Sequence, residues 1–160
     1  LNKNKNQGKK NPDRKKAIVK LVVSALFTLA IMYLAMGGMI GLPIPGFLII
    51  SSKRHVSSFS QCTKEERFEI GEVLFYAEKA LKNLKIADEL TIVQEECSMH
   101  FHIWIFPKYD WMVEKFGQGI SYLRDISKYA KEHATDTEKE RVVKIADDVR
   151  KYFAECNIFE

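Results

Sequence analysis

The residues of this chain best suited to chemistry are two histidines, His100 and His102, in the run SMHFHIWIFPKYDW at positions 98–111. The run has the apolar, β-branched look of a buried strand, and a strand puts residues i and i+2 on one face. His100, His102, Trp104 and Phe106 then share one side, while Phe101, Ile103 and Ile105 take the other, the natural core side. Three readings are open on spacing alone. Two partly exposed strand histidines need have no function at all. An H-x-H pair can also present two imidazoles to zinc, with Cys97 or Cys62 as a thiolate, although no recognisable spacing supplies the remaining ligands. The last reading is nucleophilic catalysis at phosphorus, in which one imidazole attacks while its neighbours orient it and stabilise the phosphoryl oxygens.

The elements that must position these histidines can be read from periodicity. GFLII, residues 46–50, reads as a buried strand, and the polar SSKRHVSSFSQ follows it. Thr63 and Glu66 have capping-box spacing, and Ile70, Val73, Leu74, Ala77, Leu81 and Leu84 recur at helical intervals behind them. Residues 90–94 form a second strand, residues 99–106 a third, and Pro107 stops it. Gly117 and Gly119 precede a helix over 120–132 that buries Leu123 and Ile126. Thr137 or Asp136 caps a last helix, over 137–154, that carries Val142, Val143, Ile145, Ala146, Val149 and Phe153. Both C-terminal helices are expected to pack over Phe101, Ile103 and Ile105. The aromatic Tyr109 and Trp111, with Lys108, could stack on a base, but a hydrophobic plug under those helices is the simpler reading. His133, near a helix end, is expected to interact with the last carbonyls.

The order strand, SSKRHV, capped helix, strand, HFHIWIFP resembles the histidine triad superfamily of nucleotide hydrolases and transferases over about residues 46–110. Ser52-Lys53-Arg54-His55-Val56 matches the family's segment x-P-K-K/R-H-φ, and the later run matches H-φ-H-φ-H-φ-φ. The resemblance implies an α+β domain with an antiparallel sheet, packed helices and a C-terminal helical pair. It also implies that His102 is the nucleophile, that His100 and His55 complete the hydrogen-bonded set, and that Lys53, Ser98 and Trp104 contact the nucleotide. Dinucleoside polyphosphates such as diadenosine tetraphosphate, or nucleotidyl conjugates, are the implied substrates, with no cofactor, no metal and no nucleic-acid partner. A homodimer is the implied assembly. The sequence departs from the family pattern at the third motif position, where Trp104 offers only an indole N–H. The family's glycine-rich segment is replaced by Val93-Gln94-Glu95-Glu96-Cys97-Ser98, whose two glutamates repel a phosphate, and the family's N-terminal strands are absent.

Ahead of this domain the composition changes. Residues 1–20 carry eight basic side chains against Asp13 alone, net +7, and the remaining 140 residues are net −3, so the overall +4 describes neither part. No charged residue occurs from Leu21 through Ile50. The first twenty residues of that run, ending at Ile40, are long enough to span a bilayer as a helix, with Pro43 and Pro45 closing the span. Residues 11–48 resemble the first membrane-helix region of copper-transporting P-type ATPases, most closely through Met36-Gly37-Gly38-Met39-Ile40-Gly41-Leu42-Pro43. Met32, Met36 and Met39 line one helix face, where thioethers suit Cu(I) but serve equally for packing. No D-K-T-G phosphorylation motif and no C-P-C site accompany this segment. The two resemblances meet at PIPGFLI, so a fusion or an assembly join is expected near residues 42–48. The three cysteines, Cys62, Cys97 and Cys156, are odd in number and scattered, which fits reduced thiols. The sequence opens on Leu1 without an initiator Met, as a truncated chain would.

The organisation expected is therefore a basic tail over 1–20, a transmembrane-type helix over 21–42 and a histidine-triad-like domain over 46–160. The function expected is a nucleotide phosphohydrolase. A copper-ATPase membrane fragment with an incidental partner, or a nucleotide-binding module without turnover, are the alternatives. Location follows the helix: membrane-associated if it inserts, cytoplasmic otherwise. Basic residues beside a span stay in the cytoplasm, so one crossing places residues 46–160 on the far side. A reporter fused to the C-terminus should read as non-cytoplasmic, and a cytoplasmic reading on a protein that partitions as soluble would overturn this topology.

Overall fold

The structure is a computed structural model that describes residues 42–96 and 100–156. The basic tail and the expected membrane helix up to Gly41 lie outside the described residues, as do Cys97, Ser98, Met99 and residues 157–160. Among the described residues no helix is long and apolar enough to cross a membrane.

The described chain enters through a tight turn. Pro45 fixes φ, Gly46 adopts φ +80°, and the Phe47 N–H donates to Ile44 O at 3.0 Å. Because Gly46 and Phe47 belong to this turn, strand β1 runs over Leu48–Ser51 and starts two residues later than the sequence suggests. Helix α1 (Lys64–Asn83) begins where the capping box places it: Thr63 and Glu66 exchange side-chain-to-backbone hydrogen bonds. Glu65 and Glu66 in the first turn and Lys82 in the last complement the helix dipole. The helix buries Ile70, Val73, Ala77, Ala80 and Leu81, whereas Leu84, predicted to face inward, is the C-cap and 38% exposed.

Strands β2 (Leu90–Gln94) and β3 (His102–Pro107) complete an antiparallel sheet in the order β1-β3-β2. Trp104 sits opposite both Ile49 and Val93, which fixes the register on either side. Strand β3 begins only at His102, so His100 lies just outside the strand. The alternation nevertheless continues back through it: Phe101, Ile103 and Ile105 are buried, and His100, His102 and Trp104 are half-buried. Helix α2 (Asp110–Phe116), for which the sequence offers no clear periodicity, follows Pro107. A 3-10 turn over Ile120–Tyr122 then leads into α3 (Leu123–His133) and α4 (Asp136–Glu155).

The sheet carries a separate core on each face. On one, α1 and α4 bring Val73, Ala77, Leu81, Ile145, Val149 and Phe153 against Leu48, Ile50, Phe101, Ile103 and Ile105. On the other, α2 and α3 bring Met112, Leu123, Ile126 and Ala130 against Phe47, Phe106 and Ile44, with Trp104 at the margin. The expectation that both C-terminal helices cover Phe101, Ile103 and Ile105 therefore holds for α4 alone. Helix α3 takes the opposite face because Phe47 and Phe106 also need cover, and the alternating pattern of β3 offers two apolar faces at its C-terminal end. The cap of α4 is Thr135, in a capping box with Glu138, rather than Thr137 or Asp136. Val143, predicted inward, is 55% exposed.

The turn at Gly46 tolerates no side chain: an added Cβ would lie 2.6 Å from Ile86 Cγ2, at a φ that L-residues rarely adopt. Gly46→Ala is expected to destabilise the domain by about 1–3 kcal/mol, read as a lowered urea midpoint. An unchanged midpoint would show that the turn relaxes without cost.

Candidate functional site

Three of the four histidines of the chain come together at the N-terminal end of β3. β3 supplies His102, the residue two before it is His100, and the loop after β1 supplies His55. The His55 and His100 rings meet edge to face with centroids 4.6 Å apart. His100 Nε2 donates to Ser52 O at 2.5 Å, and His102 Nδ1 donates to His100 O at 3.0 Å. Carbonyl oxygens only accept, so each ring nitrogen named here must carry the proton. In neutral His102 that makes Nε2 the basic nitrogen, the one a nucleophile or general base would use.

The row continues into apolar ground. His102 and Trp104 have ring centroids 5.4 Å apart, and Trp104 meets Phe47 and Phe106 edge to face at 6.3 and 5.8 Å. The third motif position is thus part of the α2–α3 core, and the face grades from half-buried histidines to Phe106 at 1% exposure. The indole packs against the edge of the Phe47–Phe106 pair. Its N–H can donate a hydrogen bond, but it has no basic lone pair with which to accept or relay a proton.

Lys53, also expected here, is exposed and lines a crevice of about 150 Å³ with Ile50, Glu66, Glu69, Ile70 and Val73, between β1 and α1. Ser98 and Cys97 lie outside the described residues. The Cys62 thiol is buried and its pKa pushed up chiefly by that burial, which disfavours the thiolate a zinc site would need. Among the described residues no three His, Cys, Asp or Glu side chains gather as a metal site would require. The two glutamates expected to repel a phosphate both have protein partners. Glu95 pairs with Arg124 at 3.3 Å, and Glu96 accepts from Ser58 Oγ at 2.6 Å.

Tyr109 and Trp111 act as a plug. Tyr109 donates its hydroxyl to Pro45 O at 2.6 Å, and burial raises its pKa. Trp111 packs against Phe116 and Tyr129. With Tyr129, His133 and the Pro43–Pro45 turn, Trp111 also borders a cleft of about 610 Å³, away from the histidine row. His133 bonds Tyr129 O one turn back at 3.0 Å, as its helix-end position suggested, and stacks on the Tyr129 ring.

Sequence reasoning missed the ion pair that borders the row. Arg54 Nε and Nη2 reach both oxygens of Glu66, at 3.1 and 3.0 Å. Arg54 was visible as part of KRH and Glu66 as a helix cap, but no sequence signal joins positions twelve residues apart across a loop. A comparison with protein-family models gives no match for this chain, and a search of curated proteins gives none.

The Glu66 carboxyl is held below its usual value of 4.5, first by the Arg54 hydrogen bonds and then by the Thr63 N–H. A depressed folded-state pKa contributes stability that is present above the unfolded value and is lost as pH falls through the folded one. The stability gap between the wild-type chain and Glu66→Gln should therefore be largest near neutrality and shrink below about pH 4.5. Urea titrations from pH 7 to 3 test this, and a gap independent of pH would refute it.

Proposed function

We propose that residues 46–160 form a histidine-triad-like nucleotide phosphohydrolase acting on dinucleoside polyphosphates or nucleotidyl conjugates. One observation carries this reading. In the His55–His100–His102 row, Ser52 O holds the His100 ring, His55 packs on that ring, and the His100 carbonyl takes the His102 Nδ1 proton, which makes Nε2 the basic nitrogen of neutral His102. In the proposed reaction that nitrogen attacks the α-phosphorus. A P–N bond forms as the bond to the polyphosphate or conjugate oxygen breaks, giving a nucleotidyl-histidine, and water then cleaves the P–N bond and releases the mononucleotide. His100 and His55 keep the ring oriented and add positive character when protonated, where charge builds on the phosphoryl oxygens.

Trp104 limits this chemistry. It cannot hand a proton to the departing oxygen, so leaving groups that depart as stable anions, such as a polyphosphate, are favoured over amines or alcohols. The same substitution supports a second reading, a module that binds nucleotides without turning them over, with the indole as an apolar wall.

Incubation of the full chain with diadenosine tetraphosphate, followed by detection of released mononucleotide, separates the two. Under the hydrolase reading His102→Ala abolishes release, and Trp104→His raises it by up to ~10²-fold by restoring a proton donor. That gain comes with some loss of stability, because Trp104 packs on Phe47 and Phe106. Release unaffected by His102→Ala would remove the hydrolase reading, and binding with no release would favour the module.

A further inference from the structure

His55 is an exposed residue on a loop, and a loop side chain with little cover ordinarily samples several rotamers. Its ring nevertheless meets His100 at 4.6 Å. The bonds around it explain why. Ser52 O receives the His100 ring, and Ser52 Oγ donates to Arg54 O at 2.8 Å, so the loop backbone is tied on both sides of Lys53. The Arg54 guanidinium then spans to Glu66 by two hydrogen bonds and donates through Nη2 to Gln61 O at 2.8 Å. Glu66 Oε2 also accepts the Thr63 N–H at 2.7 Å, so one carboxylate serves the N-cap of α1 and the loop together.

We propose that Arg54 is a positioning residue for the histidine row. By clamping loop 52–57 to the N-terminus of α1 through Glu66, it fixes the His55 ring against His100. The contribution of the pair to stability is modest, because the Arg54 side chain is 51% open to solvent. What it supplies is geometry: a planar fork meeting both oxygens of a carboxylate defines an orientation that a single ammonium does not. The consequence for turnover rests on the hydrolase reading above; the placement of the rings does not.

The test uses the full chain labelled at its four histidines, with imidazole resonances and nucleotide release measured side by side. His133, on α3, is the internal reference. Arg54→Ala should shift the His55 and His100 signals and leave His133 in place. Glu66→Gln should do the same, although a glutamine oxygen can still accept the Thr63 N–H and keep the helix cap. Arg54→Lys should fail to restore the wild-type signals, because it lacks the fork. In the release assay these variants should lower kcat by ~10- to 100-fold with a smaller change in KM. His55 and His100 signals unmoved in both Arg54→Ala and Glu66→Gln would overturn the proposal. Signals of His133 moving equally would also overturn it, since the effect would then be general loss of structure. Shifted His55 and His100 signals in a chain without turnover would sustain the clamp and defeat the hydrolase reading alone.

Discussion

Strand β3 is hydrogen-bonded along both edges, and that double pairing sets the terms for everything packed around it. A central strand has no freedom to slip by one residue without exchanging its two faces. Ile103 and Ile105 are thereby committed to the core under α1 and α4, and Trp104 and Phe106 to the core under α2 and α3. The histidines inherit their position from this commitment. His102 follows the Trp104 face by parity, and His100, though outside the strand, continues it because Phe101 is buried on the other side and its N–H and C=O bond Val56 O and the Ser52 N–H.

The two cores divide the labour unequally. The α1–α4 side is built mainly from aliphatic residues with Phe101 and Phe153, and it fixes the sheet against two twenty-residue helices, each opened by a capping box. The α2–α3 side is aromatic and smaller, and it covers only the C-terminal half of β3. Its limited reach leaves the histidine end partly open to solvent. Its aromatic content also explains why tryptophan suits position 104: the indole extends the core edge that Phe47 and Phe106 begin.

The PIPGFLI stretch, where the two sequence resemblances meet, is integral to the folded domain. Ile44 is 1% exposed, Phe47 and Leu48 feed opposite cores, and the Pro45 carbonyl accepts from Tyr109. Wherever its residues originate, this segment is a turn that the domain uses to start β1 in register with β3.

Local signals in the sequence determined a good deal by themselves. The Thr63–Glu66 box started α1, the period of 3.6 set its buried face, and the period of 2 sorted β3, because each depends on residues within one or two turns of each other. The mixture of helices and strands followed from those elements, whereas the antiparallel sheet was implied only by the family resemblance and is set by the pairing of β3 with β1 and β2. The sequence did not reveal which sheet face each C-terminal helix would choose, since α3 and α4 are both amphipathic and either stripe could cover either face. Short α2 was hidden for a related reason: seven residues carry too little periodicity to separate a helix from a loop. At the site, spacing placed His100 and His102 on one side, but only the folded chain brought His55 to them and joined Arg54 to Glu66. Those contacts cross a loop whose path is set by hydrogen bonds to Ser52 and Gln61, and such bonds exist only once the sheet and α1 have fixed both ends.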